Sequence, residues 1–203
     1  MKNFYTLGQS AITEIMIKKS RFIASVAPVA SEEQGVNFVK KVRDKHNNAT
    51  HNVFAYVINE QVQRFSDDGE PSGTAGKPIL EVINRKGLVQ TAVVVTRYYG
   101  GILLGAGGLV RAYSESAVAG IDTAGIVEKI LHQQLQVTAD YQWLGLVKRE
   151  LESIGAMNTE ITYDQRVQIT CYIRPDLLQT ISTRLTDATA AQVNIIKGNF
   201  NYL

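Results

Sequence analysis

Gln134-Leu135-Gln136-Val137-Thr138-Ala139 alternates polar and apolar residues, the period-two pattern of a strand with one buried face. Beyond it, Leu144, Val147, Leu151 and Ile154 fall on one helical face, and Gly155 is placed to cap that helix. Met157, Thr159 and Ile161 alternate again, as do Val167, Ile169, Cys171 and Ile173, with a turn at Tyr163-Asp164-Gln165. Pro175 suits the first turn of a second helix, whose stripe is Leu177, Leu178, Ile181 and Leu185. Val193, Ile195 and Phe200 supply a last strand. The order βαββαβ predicts a ferredoxin-like domain with both helices on one face of an antiparallel sheet.

Upstream the pattern is also mixed. Residues 11–29 read as a hairpin or bent strand pair with Lys18-Lys19-Ser20-Arg21 near its turn. Ser31 and Gln34 fit a capping box before a helix carrying Val36, Val39 and Val42. Asn52 to Ile58 is strand-like, Pro78 to Ile83 a short apolar helix, and Gly107 to Ile121 a helix with Leu109, Tyr113, Ala117 and Ile121 at spacing four. Thr91 to Thr96 is almost wholly apolar, as a central strand requires. Glycines are dense from Gly69 to Gly125 and sparse afterwards. The chain therefore divides into domains at 1–130 and 131–203, and the fold class is α+β.

With 203 residues, 45% apolar and 20% charged, the composition is that of a globular protein and excludes disorder as the main state. No apolar run reaches the roughly 18–20 residues needed to span a bilayer, and the opening residues lack the apolar core of an export signal. No membrane association and a cytoplasmic location are expected. Cys171 is the single cysteine, so no intrachain disulfide forms and an all-cysteine zinc site is excluded. Net charge is +2. Residues 1–132 hold 15 Lys/Arg against 12 Asp/Glu, and residues 133–203 hold 6 against 7, so an anionic partner is expected to meet the first part.

The densest polar stretch runs from Asp67 to Pro78, between a strand and a helix. A phosphate-binding P-loop needs glycine at 71 and Ser/Thr at 78, and both are proline. Backbone N–H groups from Gly73 to Lys77 are still suited to an anion nest at the following helix, with Lys77 adding charge. Asp67, Asp68 and Glu70 suit a hydrated Mg²⁺; alternatively they cap the next helix or pair with arginine. A second run, Thr96-Arg97-Tyr98-Tyr99-Gly100-Gly101 through Gly108 to Arg111, misses the dinucleotide fingerprint because position 110 is valine. Arg97 suits phosphate and Tyr98 or Tyr99 a stacked base; equally, the tyrosines complete a core and the glycines let strand and helix approach. His46, His51 and His132 lack a metal spacing. Ser72, His51 and Asp68 have the composition of a triad, but no Gly-x-Ser-x-Gly elbow surrounds Ser72. Lys40, Lys41, Arg43 and Lys45 either form a solvated helix end or extend a basic surface with Lys18, Lys19 and Arg21.

Lys18-Lys19-Ser20-Arg21-Phe22, Ala49-Thr50-His51, the Asp67–Pro78 run and Thr96 to Tyr113, in that order, resemble the IMPACT/YigZ family. One departure is Asn52, where many members carry cysteine. The resemblance implies a β-α-β-rich first domain like ribosomal proteins and elongation-factor domain IV. It also implies a ferredoxin-like second domain similar to elongation factor G domain V. Eukaryotic members restrain the kinase arm of amino-acid-starvation signalling by competing for its activator; the family offers no catalytic residues to carry over. The resulting expectation is a translation- or stress-regulatory protein that binds RNA or the ribosome and needs no cofactor. Candidate contacts are Lys18, Lys19, Arg21, His51, Ser72, Gly73, Thr74, Gly76, Lys77, Arg97, Tyr98, Tyr99 and Arg111. The alternatives are a Mg²⁺-dependent phosphate-ester or nucleotide hydrolase holding its metal on Asp67, Asp68 and Glu70, and a protein-interaction module.

Overall fold

A computed structural model describes residues 3–203; Met1 and Lys2, part of the opening segment weighed above as a signal, lie outside it. The elements are β1 (Phe4–Leu7), β2 (Ala11–Ile17), β3 (Ser20–Pro28), α1 (Glu32–Lys45), β4 (His51–Val57), β5 (Gln63–Ser66), α2 (Gly76–Arg85), β6 (Thr91–Tyr98), α3 (Ala106–Ala124) and β7 (Ile126–Lys129). They continue with β8 (Leu131–Ala139), α4 (Leu144–Ser153), β9 (Met157–Tyr163), β10 (Val167–Ile173), α5 (Leu178–Ala188) and β11 (Asn194–Tyr202). The chain separates into two compact units, residues 4–128 and essentially residues 129–203. Both mix helices and sheet, so the class is α+β. Among the described residues no helix is long and apolar enough to cross a membrane.

In the first unit five antiparallel strands run in the order β2-β3-β6-β4-β5. Central β6 is buried on both faces because alternate side chains enter different cores. Val93 and Val95 pack with α2 and α3, while Ala92 and Val94 pack with Val39 and Val42 of α1. Ser31 caps α1 by accepting from the Gln34 N–H at 3.2 Å, and Gln34 returns its side-chain oxygen to the Ala30 N–H at 2.8 Å. The short strands β1, β5 and β7 are too brief and too irregular in pattern for the alternation rule to find. β1 and β7 form a separate two-stranded ribbon.

In the second unit the strand order is β11-β8-β10-β9, that is fourth, first, third, second, all antiparallel. One core joins Leu135, Val137, Ile169 and Cys171 of the strands to Val147 and Leu151 of α4 and Ile181 and Leu185 of α5, so both helices share one face. The opposite face carries the polar partners of the alternation, among them Gln134, Gln136 and Thr170. Ile195 and Phe200 lie in the last strand, as the pattern expects, while Val193 falls just before it. The β8 register shifts between Lys197 and Phe200, where Gly198 lies against Gln134, and Phe200 is left half-exposed.

Cys171 is fully buried, and that burial pushes its thiol up to about 11. Native protein at pH 8 should leave a thiol reagent such as Ellman's disulfide unconsumed over hours, and urea-unfolded protein should consume one equivalent. Rapid reaction in native buffer would contradict this placement of β10.

Candidate functional site

The motif residues meet at one end of the first unit's sheet, where β3 and β4 begin and β6 ends. Register pairs Phe22 with Arg97 and Arg97 with His51. Over this row lie the 67–76 loop and the start of α3.

Glu70 is the centre. It is 8% exposed, and its Oε1 accepts from Arg97 Nη1 at 2.6 Å and from the Tyr113 hydroxyl at 2.7 Å. Arg97 is 5% exposed; its guanidinium also lies 5.4 Å from the ring centres of Phe22 and Tyr99, and its Nη2 reaches Ser20 Oγ at 3.5 Å. Arg97 Nε is buried without a partner among the described residues. Burial first, and the Glu70 carboxylate second, hold the Tyr113 phenol well above the usual tyrosine range, so it remains a donor. His51 Nδ1 sits 2.7 Å from the Asp68 carbonyl, which only accepts, so Nδ1 carries the proton and Nε2 faces Glu70 Oε2 at 3.8 Å.

The other acids are engaged elsewhere. Asp67 accepts from the backbone N–H groups of Gly73 (2.8 Å), Ala75 (3.1 Å) and Gly76 (2.8 Å), filling the N-terminus of α2. Asp68 accepts from Arg43 Nη2 at 2.8 Å and the Asn52 N–H at 2.6 Å. Asp67, Asp68 and Glu70 thus face three different sets of donors instead of one point. Among the described residues no cluster of three His, Cys, Asp or Glu side chains is arranged to hold a metal ion. This corrects the Mg²⁺ expectation for these acids.

The phosphate expectation divides. The nest at Gly73 and Gly76 is already occupied by Asp67, and the Thr74 hydroxyl donates to the Pro71 carbonyl at 2.6 Å. Arg97 is buried and paired, so it is not a surface contact. Arg21 makes a two-pronged pair with Glu14, both bonds 2.9 Å, and its guanidinium stacks 5.4 Å over Tyr98. The Tyr98 hydroxyl lies 3.0 Å from His46 Nδ1 and 3.2 Å from Asn48 Oδ1. Burial, then the charges of Lys45 and Arg21, hold the His46 imidazole below the usual histidine range. Ser72, Lys77, Tyr99, Lys18, Lys19 and Arg111 remain exposed.

Two of these cations come together. A cleft of about 460 Å³ between the β2–β3 turn and the first turns of α3 is lined by Lys18, Leu104, Gly107, Gly108, Arg111 and Glu115, among others. Its helix end differs from that of α2: Gly105 is the N-cap of α3 and brings no side-chain bond to the first-turn N–H groups. A hollow of about 220 Å³ lined by Val82, Arg85, Lys86 and Val118 has Lys86 paired with Asp122 at 2.7 Å; two further hollows carry less free cationic surface. Beside α1, in about 250 Å³, Arg43 is tied to Asp68 and Asp44 offsets Lys40. On the open sheet face of the second unit, in about 510 Å³, the lining charge is Glu160.

Sequence reasoning read Tyr113 as a core residue of a helical stripe and did not name Ser20 or Asn52 as site members. A tyrosine on an apolar stripe signals a hydroxyl that needs a buried partner, and Glu70 is that partner.

Residues 18–121 match the family described as the Impact N-terminal domain, and residues 137–192 match the Domain of unknown function DUF1949. The chain is 41% identical over 205 residues to the IMPACT family member YvyE of Bacillus subtilis strain 168, covering all of this chain and 94% of that protein. To IMPACT family member YigZ of Escherichia coli K12 it is 50% identical over 101 residues, 48% of this chain and 50% of that one. Protein IMPACT of Oryctolagus cuniculus is 40% identical over 93 residues, 43% of this chain and 29% of that protein. A solved structure described as "Crystal structure of an hypothetical protein" covers 97% of both chains at a TM-score of 0.64 and 30% identity. A two-domain α+β protein with this buried Glu–Arg–Tyr centre therefore belongs to the IMPACT family.

Glu70→Ala should destabilise the chain by about 3–5 kcal/mol in urea unfolding, because it leaves the Arg97 charge buried and unpaired. Tyr113→Phe should cost less, about 1–3 kcal/mol. Because the folded-state phenol ionises above its unfolded value, the Tyr113 contribution is complete below about pH 10 and is lost as pH rises beyond it. The stability gap between wild type and Tyr113→Phe should therefore narrow on titration from pH 9 to 11. A gap that widens would contradict a buried, protonated phenol.

Proposed function

We propose that this chain is a cytoplasmic translation- or stress-regulatory protein that binds RNA, free or in the ribosome, through its first domain. The contact surface is the cleft between the β2–β3 turn and α3. The observation that carries the reading is that Lys18 and Arg111, distant in sequence, line one cleft at a helix end where, among the described residues, no side chain bonds the first-turn N–H groups. Lys19 adds charge at the same turn, and Gly107 and Gly108 allow a phosphate to approach the backbone. Membership of the IMPACT family supports a family-level role shared with the eukaryotic relatives. Contacts of this kind position a strand without reading its sequence, so little base preference is expected.

Fluorescence anisotropy with a single-stranded RNA across a salt series tests this. Each phosphate contact contributes about 0.7 to the slope of log K against log salt. Replacing Lys18 and Arg111 together by alanine should weaken binding to all sequences alike and flatten the slope by about 1 to 2. Binding by the double variant that matches wild type in affinity and slope would reject the cleft.

A further inference from the structure

Between Gly100 and Gly105 the chain displays Ile102 at 40% and Leu103 at 82% exposure. A single exposed leucine is ordinary, but this pair sits on a fixed base. The Tyr99 N–H donates to Thr50 Oγ1 at 3.0 Å, and the Gly100 N–H donates to Ser20 Oγ at 3.2 Å. A Cβ on Gly100 would collide with the Lys19 carbonyl, so the loop begins pressed against the β2–β3 turn. At the far end Leu104 turns into the cleft and packs beside Gly108. Gly101 and Gly105, at φ of +82° and +72°, make the two bends that lift the tip. Tyr99 and Val110 of the same segment are also exposed. Folding alone gives no reason to hold large aliphatic side chains in water on pinned glycine bends, and a patch of this kind marks a contact surface.

The charged groups lining the adjoining cleft are Lys18, Arg111 and the single acid Glu115, with Lys19 at the same turn. An apolar tip with a mainly cationic surround fits a polyanion that also offers apolar faces, which is unpaired RNA. We infer that Ile102-Leu103 is a wedge that enters between stacked bases of the strand whose phosphates occupy the Lys18–Arg111 cleft. This rests on the RNA reading above and adds to it the form of RNA bound: single-stranded or locally unpaired, with one base step opened.

The test uses the full chain and a single-stranded RNA carrying 2-aminopurine, whose emission rises when it unstacks. Wild type should raise the emission on binding. Leu103→Ala should lose most of that rise and bind about 10-fold more weakly, with the salt slope unchanged; Leu103→Met should behave as wild type. The side chain is exposed, so the variant should unfold at the wild-type urea midpoint. If Leu103→Ala binds and unstacks as wild type does while Lys18→Ala/Arg111→Ala binds weakly, the wedge is wrong and the RNA reading stands. If wild type binds no RNA at any salt, both fall. Weaker binding by Leu103→Ala with no emission change in wild type also overturns the wedge, leaving a surface contact only.

Discussion

The carboxylate of Glu70 is buried and must be satisfied where it lies, and much of the first domain's architecture follows from that requirement. Removing a carboxylate from water is costly unless charge and hydrogen bonds replace the solvent. Two elements supply the replacements: Arg97 from the end of β6 and Tyr113 from the second turn of α3, while His51 at the start of β4 packs beside the carboxylate with its Nε2 3.8 Å away. Each partner reaches Glu70 only if its own element is in place. The interaction therefore fixes how α3 crosses the sheet and where the 67–76 loop turns, more than it adds net stability.

That arrangement separates two loops that look alike as sequence. Both are rich in glycine and both lead into a helix. In the first, Asp67 folds back onto the N-terminus of α2 and takes the place an external anion would occupy. In the second, the N-cap Gly105 brings no side-chain bond to α3, and the neighbouring cations are Arg111 of α3 itself and Lys18 of the β2–β3 turn. The proposed anionic contact is the one at α3 and the β2–β3 turn, and the acid-rich loop is part of the frame.

Much of the fold was legible because its signals are local. The βαββαβ order follows from alternation at Leu135, Val137, Ile169 and Cys171 and from two short apolar stripes, each readable within a dozen residues. The burial of β6 on both faces followed from its unbroken apolar run. The register shift between Lys197 and Phe200 was not legible, because a bulge leaves no mark in an alternation pattern that is already weak. The site was only partly legible. Asp67, Asp68 and Glu70 stood out as a group, but their divergence depends on which donors other elements bring. Arg97 looked like a phosphate contact because its partner lies 27 positions away in sequence. The pairing of Lys18 with Arg111 across one cleft carried no sequence signal at all.

Glu70, Arg97 and Tyr113 brace the domain, and the proposed RNA contact lies on the neighbouring cleft. The most direct test replaces the whole brace at once, Glu70→Leu with Arg97→Met and Tyr113→Phe, which removes the buried charges together and leaves none unpaired. Arg97 Nε already lacks a partner among the described residues, so the apolar replacement gives up an incompletely satisfied network. Because buried ion pairs replaced by apolar groups of similar volume are often neutral in stability, this variant should fold. The measurement is its RNA affinity and salt slope by anisotropy, at a temperature where circular dichroism shows it folded. Both should match wild type. A folded triple variant that has lost binding, or whose slope has flattened by the worth of one phosphate contact, would show that Arg97 touches the RNA and would contradict that placement.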